Sequence, residues 1–400
     1  MLIKNANIVT QKRVFEGCLR VKDGSIELIR EDIKPKENEK VIDAKGKYLL
    51  PKLIDTNVRL KDDTLSKKNL DELYKKAKEG GVGSFVLIDD FAPKVENPTH
   101  LELLSAKVSN GDTNILLSVN SLDKEGRVNQ IATFLKNGAK VIYSRSDIPG
   151  NSLVRVMQYA AMKKVPLFVF CEERDIKNNG VMNEGVISFK LGLSGILKVA
   201  QISEVSKIVE LATFFGVKVL FQSIYTSKSL KILKAVKKDN KDVFAEVSIH
   251  SFILNDSECD GFNTKAKLIS PLQEESERQE LLELLKSGVV DVVTSEHSKK
   301  SYIYKDIAFE TAKDGVDALS LTLKLGYTYL VKKGVLAFNE FVKLIATNPA
   351  DILSMSNVGL IKEGYKADMI LFDNKHYEVI HDELSLYNGK ELYGKIEEIR

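Results

Sequence analysis

Acidic and imidazole side chains stand beside apolar, strand-like runs in the second half of the chain. Glu246 and His250 occur within or just after one such run. Glu296 and His297 directly follow another. Groups of these types can hold a metal ion or exchange protons with a substrate. Histidines at strand ends also serve as hydrogen-bonded structural groups, so the residue types alone leave a chemical and a structural interpretation open.

Soft metal ligands are scarce in this chain. Its 400 residues include five histidines and three cysteines, and no two cysteines form a C-x-x-C pair. Neither a disulfide framework nor a zinc knuckle fits that pattern, so we expect a protein of the reducing cytoplasm. Cys171 precedes Glu172 and Glu173, and adjacent carboxylates disfavour a nucleophilic thiolate. We expect a buried, unreactive cysteine there.

The overall composition favours a globular protein without a nucleic-acid or membrane partner. Apolar residues make up 44% of the chain, and 59 Lys and Arg nearly balance 56 Asp and Glu, for a net charge of +3. That balance leaves no basic footprint for nucleic acid or a membrane surface. The N-terminus carries Lys4 and Asn5 where a signal peptide needs an unbroken apolar stretch, and no later run reaches membrane-spanning length.

Short apolar runs alternate with longer amphipathic stretches from about residue 52 onward. This alternation predicts βαβ units around a parallel sheet. Eight such units indicate a (β/α)8 TIM-type barrel, and a doubly wound sheet is the alternative, although no G-x-G-x-x-G follows the first strand. The predicted strands are 53–56, 84–88, 114–119, 139–143, 166–170, 217–221, 243–247 and 290–294, and the predicted helices include 65–79, 152–163, 203–215, 227–237 and 275–286.

The two ends of the chain have a different residue pattern from its middle. Short strands with alternating apolar and polar residues are predicted at 3–10, 18–22, 25–29 and 40–43. Strand-like patterns occur again at 358–373 and 377–380. We therefore predict an α/β protein in which 51–354 forms the barrel. The segments 1–50 and 355–400 together form a small composite β-sandwich beside it.

The strand ends of the predicted barrel carry motifs of a known family. Leu50-Pro-Lys-Leu-Ile-Asp-Thr-Asn-Val-Arg-Leu-Lys-Asp resembles the first-strand motif L-P-G-x-I-D-x-H-V-H-L-R-D of the dihydroorotase branch of the amidohydrolase superfamily. Lys267-Leu-Ile-Ser-Pro-Leu-Gln is similar to K-x-N-P-P-L-R, and Thr294-Ser-Glu-His-Ser-Lys-Lys stands where the family has x-T-D-H-A-P-H. The ordered matches cover essentially the whole chain.

The resemblance implies zinc chemistry that the residues of this chain do not retain. Dihydroorotases hydrolyse a cyclic amide reversibly, with zinc polarising the carbonyl and activating water. Zinc sites need three or four nitrogen, sulfur or carboxylate ligands, and only the eighth-strand carboxylate survives, so we expect no metal cofactor. The family's ligand positions fall on Asn57, Arg59, Ser144 or Arg145, Phe170, Ser223 and Glu296.

The substrate-binding positions implied by the resemblance are also changed. Lys61 and Asp90 replace an Arg and an Asn that would hold a carboxylate, and Gln273 and Lys300 replace an Arg and a His. Because an unpaired buried cation is costly, we expect Arg59 to form an ion pair with Glu296 across the barrel mouth. The predicted residual pocket comprises Arg59, Lys61, Asp90, His250 and His297.

These changes lead to three hypotheses of function. The first is a catalytically inactive dihydroorotase homologue in pyrimidine biosynthesis. The resemblance implies that it acts as a structural partner of aspartate transcarbamoylase or another pathway protein, in a homo- or hetero-oligomer. The second is an active dihydroorotase or related cyclic-amide hydrolase, with Glu296 as base and Arg59 or Lys61 stabilising an oxyanion. The third is a metal-free sensor of a pyrimidine intermediate.

Overall fold

The computed structural model describes residues 1–95, 97–108 and 113–399. Within these ranges the strands are β1 Leu2–Val9, β2 Val14–Lys22, β3 Ser25–Arg30, β4 Val41–Asp43, β5 Tyr48–Pro51, β6 Leu53–Val58, β7 Val82–Leu87, β8 Asn114–Asn120, β9 Ala139–Arg145, β10 Leu167–Phe170, β11 Met182–Asn183, β12 Gly195–Ile196, β13 Val219–Gln222, β14 Val243–Ser248, β15 Val292–Thr294, β16 Met369–Val379 and β17 Glu391–Glu398.

The α-helices in the same ranges are α1 Lys67–Glu79, α2 Pro98–Val108, α3 Ile131–Lys136, α4 Gly150–Lys163, α5 Arg174–Lys177, α6 Val186–Leu191, α7 Val199–Phe215, α8 Ser227–Val236, α9 Ile249–Ile253, α10 Glu275–Lys286, α11 Tyr302–Lys305, α12 Thr322–Gly326, α13 Phe338–Val342 and α14 Asn348–Ile352. Short 3-10 segments lie at Lys61–Asp63, Asp256–Phe262 and Thr264–Ala266, and π-helical segments at Tyr327–Val331 and Lys343–Thr347.

Eight parallel strands form the barrel, in the spatial order β6, β7, β8, β9, β10, β13, β14, β15. The first and last strands meet at their carboxyl ends, where Val58, the last residue of β6, pairs with His297 after β15. The Arg59 amide also donates to the His297 carbonyl at 2.8 Å. Every residue of β6 and β7 is buried, as expected for strands covered on both faces. The predicted (β/α)8 barrel is confirmed.

The outer helices follow the apolar spacing seen in the sequence. Ser66 precedes α1, and its hydroxyl accepts a hydrogen bond from the Asn69 amide at 3.1 Å, which satisfies one free N–H of the first turn. The helix buries Leu70, Leu73 and Ala77, whose spacing of three and four residues places them on one face.

Strands from both ends of the chain form a separate seven-stranded sheet. Its order is β17, β16, β5, β1, β2, β3, and β4 pairs with β1. Residues of both ends share one apolar cluster, for example Ile8, Leu49 and Leu371. A separate sheet built from both termini is therefore confirmed, whereas the exact boundaries 1–50, 355–400 and 51–354 stay predictions.

Three details of this sheet differ from the expected strands. The strands β5 and β17 were not predicted, and 358–368 lies before β16 rather than in a strand. In the described part of the chain, no helix combines the length and apolar character needed to cross a membrane.

Candidate functional site

Asn57, near the end of β6, is fully buried. Its Nδ2 donates to Ser223 Oγ at 3.0 Å and to Glu246 Oε1 at 2.8 Å. Its Oδ1 accepts a hydrogen bond from the Arg59 guanidinium. The amide therefore uses both of its polar ends to connect side chains from three strand ends.

Arg59 is buried and paired with a carboxylate. Its Nε donates to Asp90 Oδ2, which lies after β7. Burial alone would lower the Arg59 pKa, but the charge of Asp90 and its hydrogen bond raise that pKa above the ordinary value. The prediction that Arg59 pairs with Glu296 is wrong. The Glu296 carboxylate instead accepts a hydrogen bond from the Ser270 hydroxyl at 2.5 Å.

Three carboxylates, Asp55, Glu246 and Glu296, are buried below the mouth. Burial raises the pKa of all three, and the neighbouring charges of Asp55 and Glu296 help to raise that of Glu246 to about 7. Hydroxyl and amide donors, including Thr56 and Asn57, hold the Glu246 carboxylate. The Glu246 carboxyl group can therefore exchange a proton near neutral pH.

The remaining residues at the family's ligand positions have structural contacts. Ser144 Oγ lies 2.8 Å from Ser121 Oγ. Arg145 donates to Asp147 at 2.8 Å, and its guanidinium lies 5.2 Å from the centre of the Phe170 ring. These contacts tie neighbouring strand ends to one another.

Both histidines near the mouth serve as neutral connectors. His250 Nε2 donates to the Ser295 carbonyl at 3.1 Å, and His250 Nδ1 accepts from the Tyr387 hydroxyl at 2.6 Å. His297 Nδ1 accepts from the Ala318 amide at 3.2 Å. Burial lowers the pKa of each imidazole to about 4, so both rings are uncharged at neutral pH. The structural interpretation of these residues has the better support.

A cavity of about 830 Å³ opens at the mouth. Five of the residues at the family's ligand or substrate positions line this cavity. They are Arg59, Asp90, Arg145, Phe170 and Lys300. Three others that we expected in the pocket are absent from the described lining, and their roles in binding stay predictions. These three are Lys61, His250 and His297.

Zinc does not fit the residues that replace its ligands. Phe170 has no donor atom, Arg59 is a cation, and both polar ends of Asn57 are already hydrogen-bonded. Within the described ranges, no group of three or more His, Cys, Asp or Glu is placed to hold a metal ion.

Some residues of the site were not singled out as site residues by the sequence. Glu246 was named among the groups that can hold a metal ion or exchange protons but not among the pocket residues, and it accepts hydrogen bonds from Thr56 and Asn57. Its signal is a carboxylate inside an apolar strand. Lys267 and Asp314 also line the cavity. Lys267 is the first residue of the segment that resembles K-x-N-P-P-L-R, whereas no sequence pattern separates Asp314 from surface residues.

Comparison with known proteins agrees with the fold and the motifs. The model of the amidohydrolase family matches residues 195–396. The chain is 31% identical to a dihydroorotase of Carboxydothermus hydrogenoformans, covering 98% of this chain and 92% of that protein. It is 29% identical to a dihydroorotase of Ruminiclostridium cellulolyticum, covering 99% and 95%.

Solved structures show the same architecture at lower identity. The L-hydantoinase of Arthrobacter aurescens superimposes with a TM-score of 0.88 at 17% identity, covering 98% of this chain and 93% of that one. A D-hydantoinase from Thermus sp. gives 0.84 at 18% identity, covering 99% and 92%. The chain belongs to the amidohydrolase family. Within that family, dihydroorotases are its homologues over the full length.

Proposed function

We propose that this chain is a dihydroorotase homologue that has lost zinc-dependent hydrolysis and acts as a structural subunit in pyrimidine biosynthesis. The observation that carries the proposal is the buried Arg59 guanidinium, which stands at a family ligand position and is paired with Asp90. A fixed cation there opposes a divalent ion. Without a Lewis acid, the reaction forfeits several kcal/mol of transition-state stabilisation.

The loss of catalysis is tested on the purified chain. Metal analysis by mass spectrometry is combined with a dihydroorotase assay in both directions, with and without added zinc. We expect less than stoichiometric zinc and no turnover above the rate without protein. Zinc bound at one ion per chain together with zinc-dependent turnover would overturn the proposal.

The resemblance to dihydroorotases suggests aspartate transcarbamoylase as the partner. Exposed apolar side chains on α6 support an assembly role, because Val186 and Phe189 are 80% and 90% exposed. Coexpression of this chain with the aspartate transcarbamoylase of the same organism, followed by light scattering on a sizing column, tests the pairing. We expect a single species that contains both chains, and two separate peaks would contradict the partnership.

A second candidate is a metal-free ligand-binding protein for a pyrimidine intermediate, which the mouth cavity favours. Thermal-shift measurements with carbamoyl aspartate, dihydroorotate and orotate test it. Stabilisation by one of them supports binding, and no shift with any of them argues for a pure scaffold. A hydrolase with an altered site has less support, because neither Glu296 nor Glu246 is part of the described lining.

A further inference from the structure

Lysines gather at the mouth cavity and form what we call its lysine side, and one of them, Lys300, lies in the field of Asp90. Lys177, Lys267, Lys300 and Lys313 line the cavity, and Lys305 lies behind them, where it donates to the Lys267 carbonyl at 3.1 Å. The carboxylates near these five lysines are Asp63, Asp90, Glu172, Glu310 and Asp314, and Asp90 is already paired with Arg59.

Lys267 is the most deeply buried of these groups that has no ionic partner. Only 6% of the residue is exposed, and its Nζ donates to the main-chain carbonyls of Phe309 and Glu310, each at 2.9 Å. Among the described residues, no carboxylate lies within 4 Å of this ammonium. Two neutral acceptors solvate Lys267 without cancelling its charge, so the charge acts on whatever enters the cavity.

Asp314 lines the same side of the cavity. Within the described part of the chain, its carboxylate accepts no hydrogen bond and forms no ion pair within 4 Å. It nevertheless lies in the field of Lys177, Lys267, Lys300 and Lys305, which lower its pKa against the larger raising effect of burial. One carboxylate therefore counterbalances several lysines without being fixed to any of them.

Lys313 brings a further cation to the rim. Its Nζ lies 4.2 Å from the centre of the Tyr304 ring and 3.7 Å from Asp63 Oδ2. Asp63 is shared, because it also accepts a hydrogen bond from Lys300. One carboxylate thus serves two lysines, and positive charge is left over on this side of the cavity.

We propose that the lysine side of the mouth cavity binds a small organic anion, with Lys267 and Lys313 as its cationic contacts. The inference rests on the ligand-binding role given above as the second candidate, and it names the chemical class of the ligand. Lysine ammonium groups accept carboxylate and phosphate alike, because each acts as a point charge. The experiment therefore includes both kinds of anion.

The test measures Kd by titration calorimetry at constant ionic strength, with chloride as the balancing ion. The probes are malonate, inorganic phosphate and the neutral malonamide. Saturable binding of malonate or phosphate, without binding of malonamide, supports the site and shows which acid group it prefers. Equal behaviour of malonate and malonamide, or no binding of either anion, overturns it.

Variants locate the binding. We expect Lys267→Met to weaken anion binding about tenfold and Lys313→Met about threefold, as expected for the loss of one charge-assisted contact in a buried and a half-exposed position. Asp314→Asn removes a competing negative charge and strengthens binding about threefold. Lys75→Met, which removes the same charge from the exposed face of α1, is the matched control and leaves Kd unchanged.

Two further results keep the inference falsifiable. If Lys267→Met does not fold, the opposite directions expected for Lys313→Met and Asp314→Asn decide the question, and a shift in the same direction for both overturns the site. If carbamoyl aspartate binds with a Kd that none of these variants changes, the ligand-binding function stands and the lysine site is wrong. If no probe and no pyrimidine intermediate binds, both fail.

Discussion

Asp90 is the residue on which the buried position of Arg59 depends. Replacing it by Asn leaves a guanidinium in the barrel mouth without its carboxylate, which in buried pairs costs roughly 3 kcal/mol or more. We therefore expect Asp90→Asn to lower the free energy of unfolding by about 3 kcal/mol, measured by urea denaturation. Glu125→Gln breaks the exposed pair with Arg127 and should cost less than about 1 kcal/mol. Equal effects of the two variants would contradict a buried, structurally important pair.

The raised pKa of Glu246 predicts that the stability of the fold depends on pH. This pKa rises from 4.5 in the unfolded chain to about 7 in the fold, so the native state binds the proton more tightly. The stability that this proton confers is complete below pH 4.5 and is lost as the pH rises through about 7. Glu246→Gln stays neutral. Its stability relative to the original chain should therefore increase by about 3 kcal/mol between acidic and mildly alkaline pH. Urea denaturation of both proteins at about pH 5 and about pH 8 measures this, and a difference independent of pH would contradict it.

At the scale of single residues, the sequence predicts some features of the site and leaves others open. The residue types at the family's ligand positions are readable from the motifs, and so is the need of Arg59 for a carboxylate. The choice between Glu296 and Asp90 was not readable, because both follow strands at the same end of the barrel. It depends on side-chain direction, and the Ser270 hydroxyl engages Glu296.

Strands and helices were more predictable than the contacts between side chains. Each of the eight barrel strands carries a buried apolar run, and such runs are visible without knowledge of their partners. The strand β17 was missed because five of the eight residues of Glu391–Glu398 are Glu, Lys or Gly, which are depleted in strands, so that its strand character comes from pairing with β16.

The close packing of α12 against α13 predicts that adding a side chain between these helices destabilises the fold. A Cβ atom added to Gly326 would lie 1.8 Å from Cζ of the Phe341 ring, so the two helices approach each other only because this residue has no side chain. Gly326→Ala should cost about 1–3 kcal/mol through overpacking, despite the better helix propensity of alanine. Gly150→Ala at the start of α4 meets no atom within 4 Å and is the matched control. Thermal unfolding should show destabilisation in the first variant and a neutral or slightly stabilising effect in the second.

The whole molecule joins the two chain ends to the barrel through buried polar contacts as well as apolar packing. Tyr387, which lies between β16 and β17, reaches His250 beside the mouth. Lys390 in the same segment pairs with Glu258 at 3.0 Å. These contacts hold the loops after β14 and β15 in place.

The α6 patch, formed by Val186, Phe189 and Phe262, allows the proposed assembly to be tested on the whole molecule. The helix packs beside the segment that ends at Phe262, and Lys190 pairs with Asp260 at 2.7 Å to join the two. If this patch contacts aspartate transcarbamoylase, Phe189→Ser should raise the Kd of the complex at least tenfold, since burial of one large apolar side chain contributes about 1.5–3 kcal/mol. The unfolding temperature should stay nearly constant, because 90% of the Phe189 side chain is already exposed. Phe214→Ser on α7, with 81% exposure, is the matched control, and sedimentation velocity of the mixed proteins gives both Kd values. An equal loss of affinity in the two variants, or none in either, would place the contact elsewhere on the molecule.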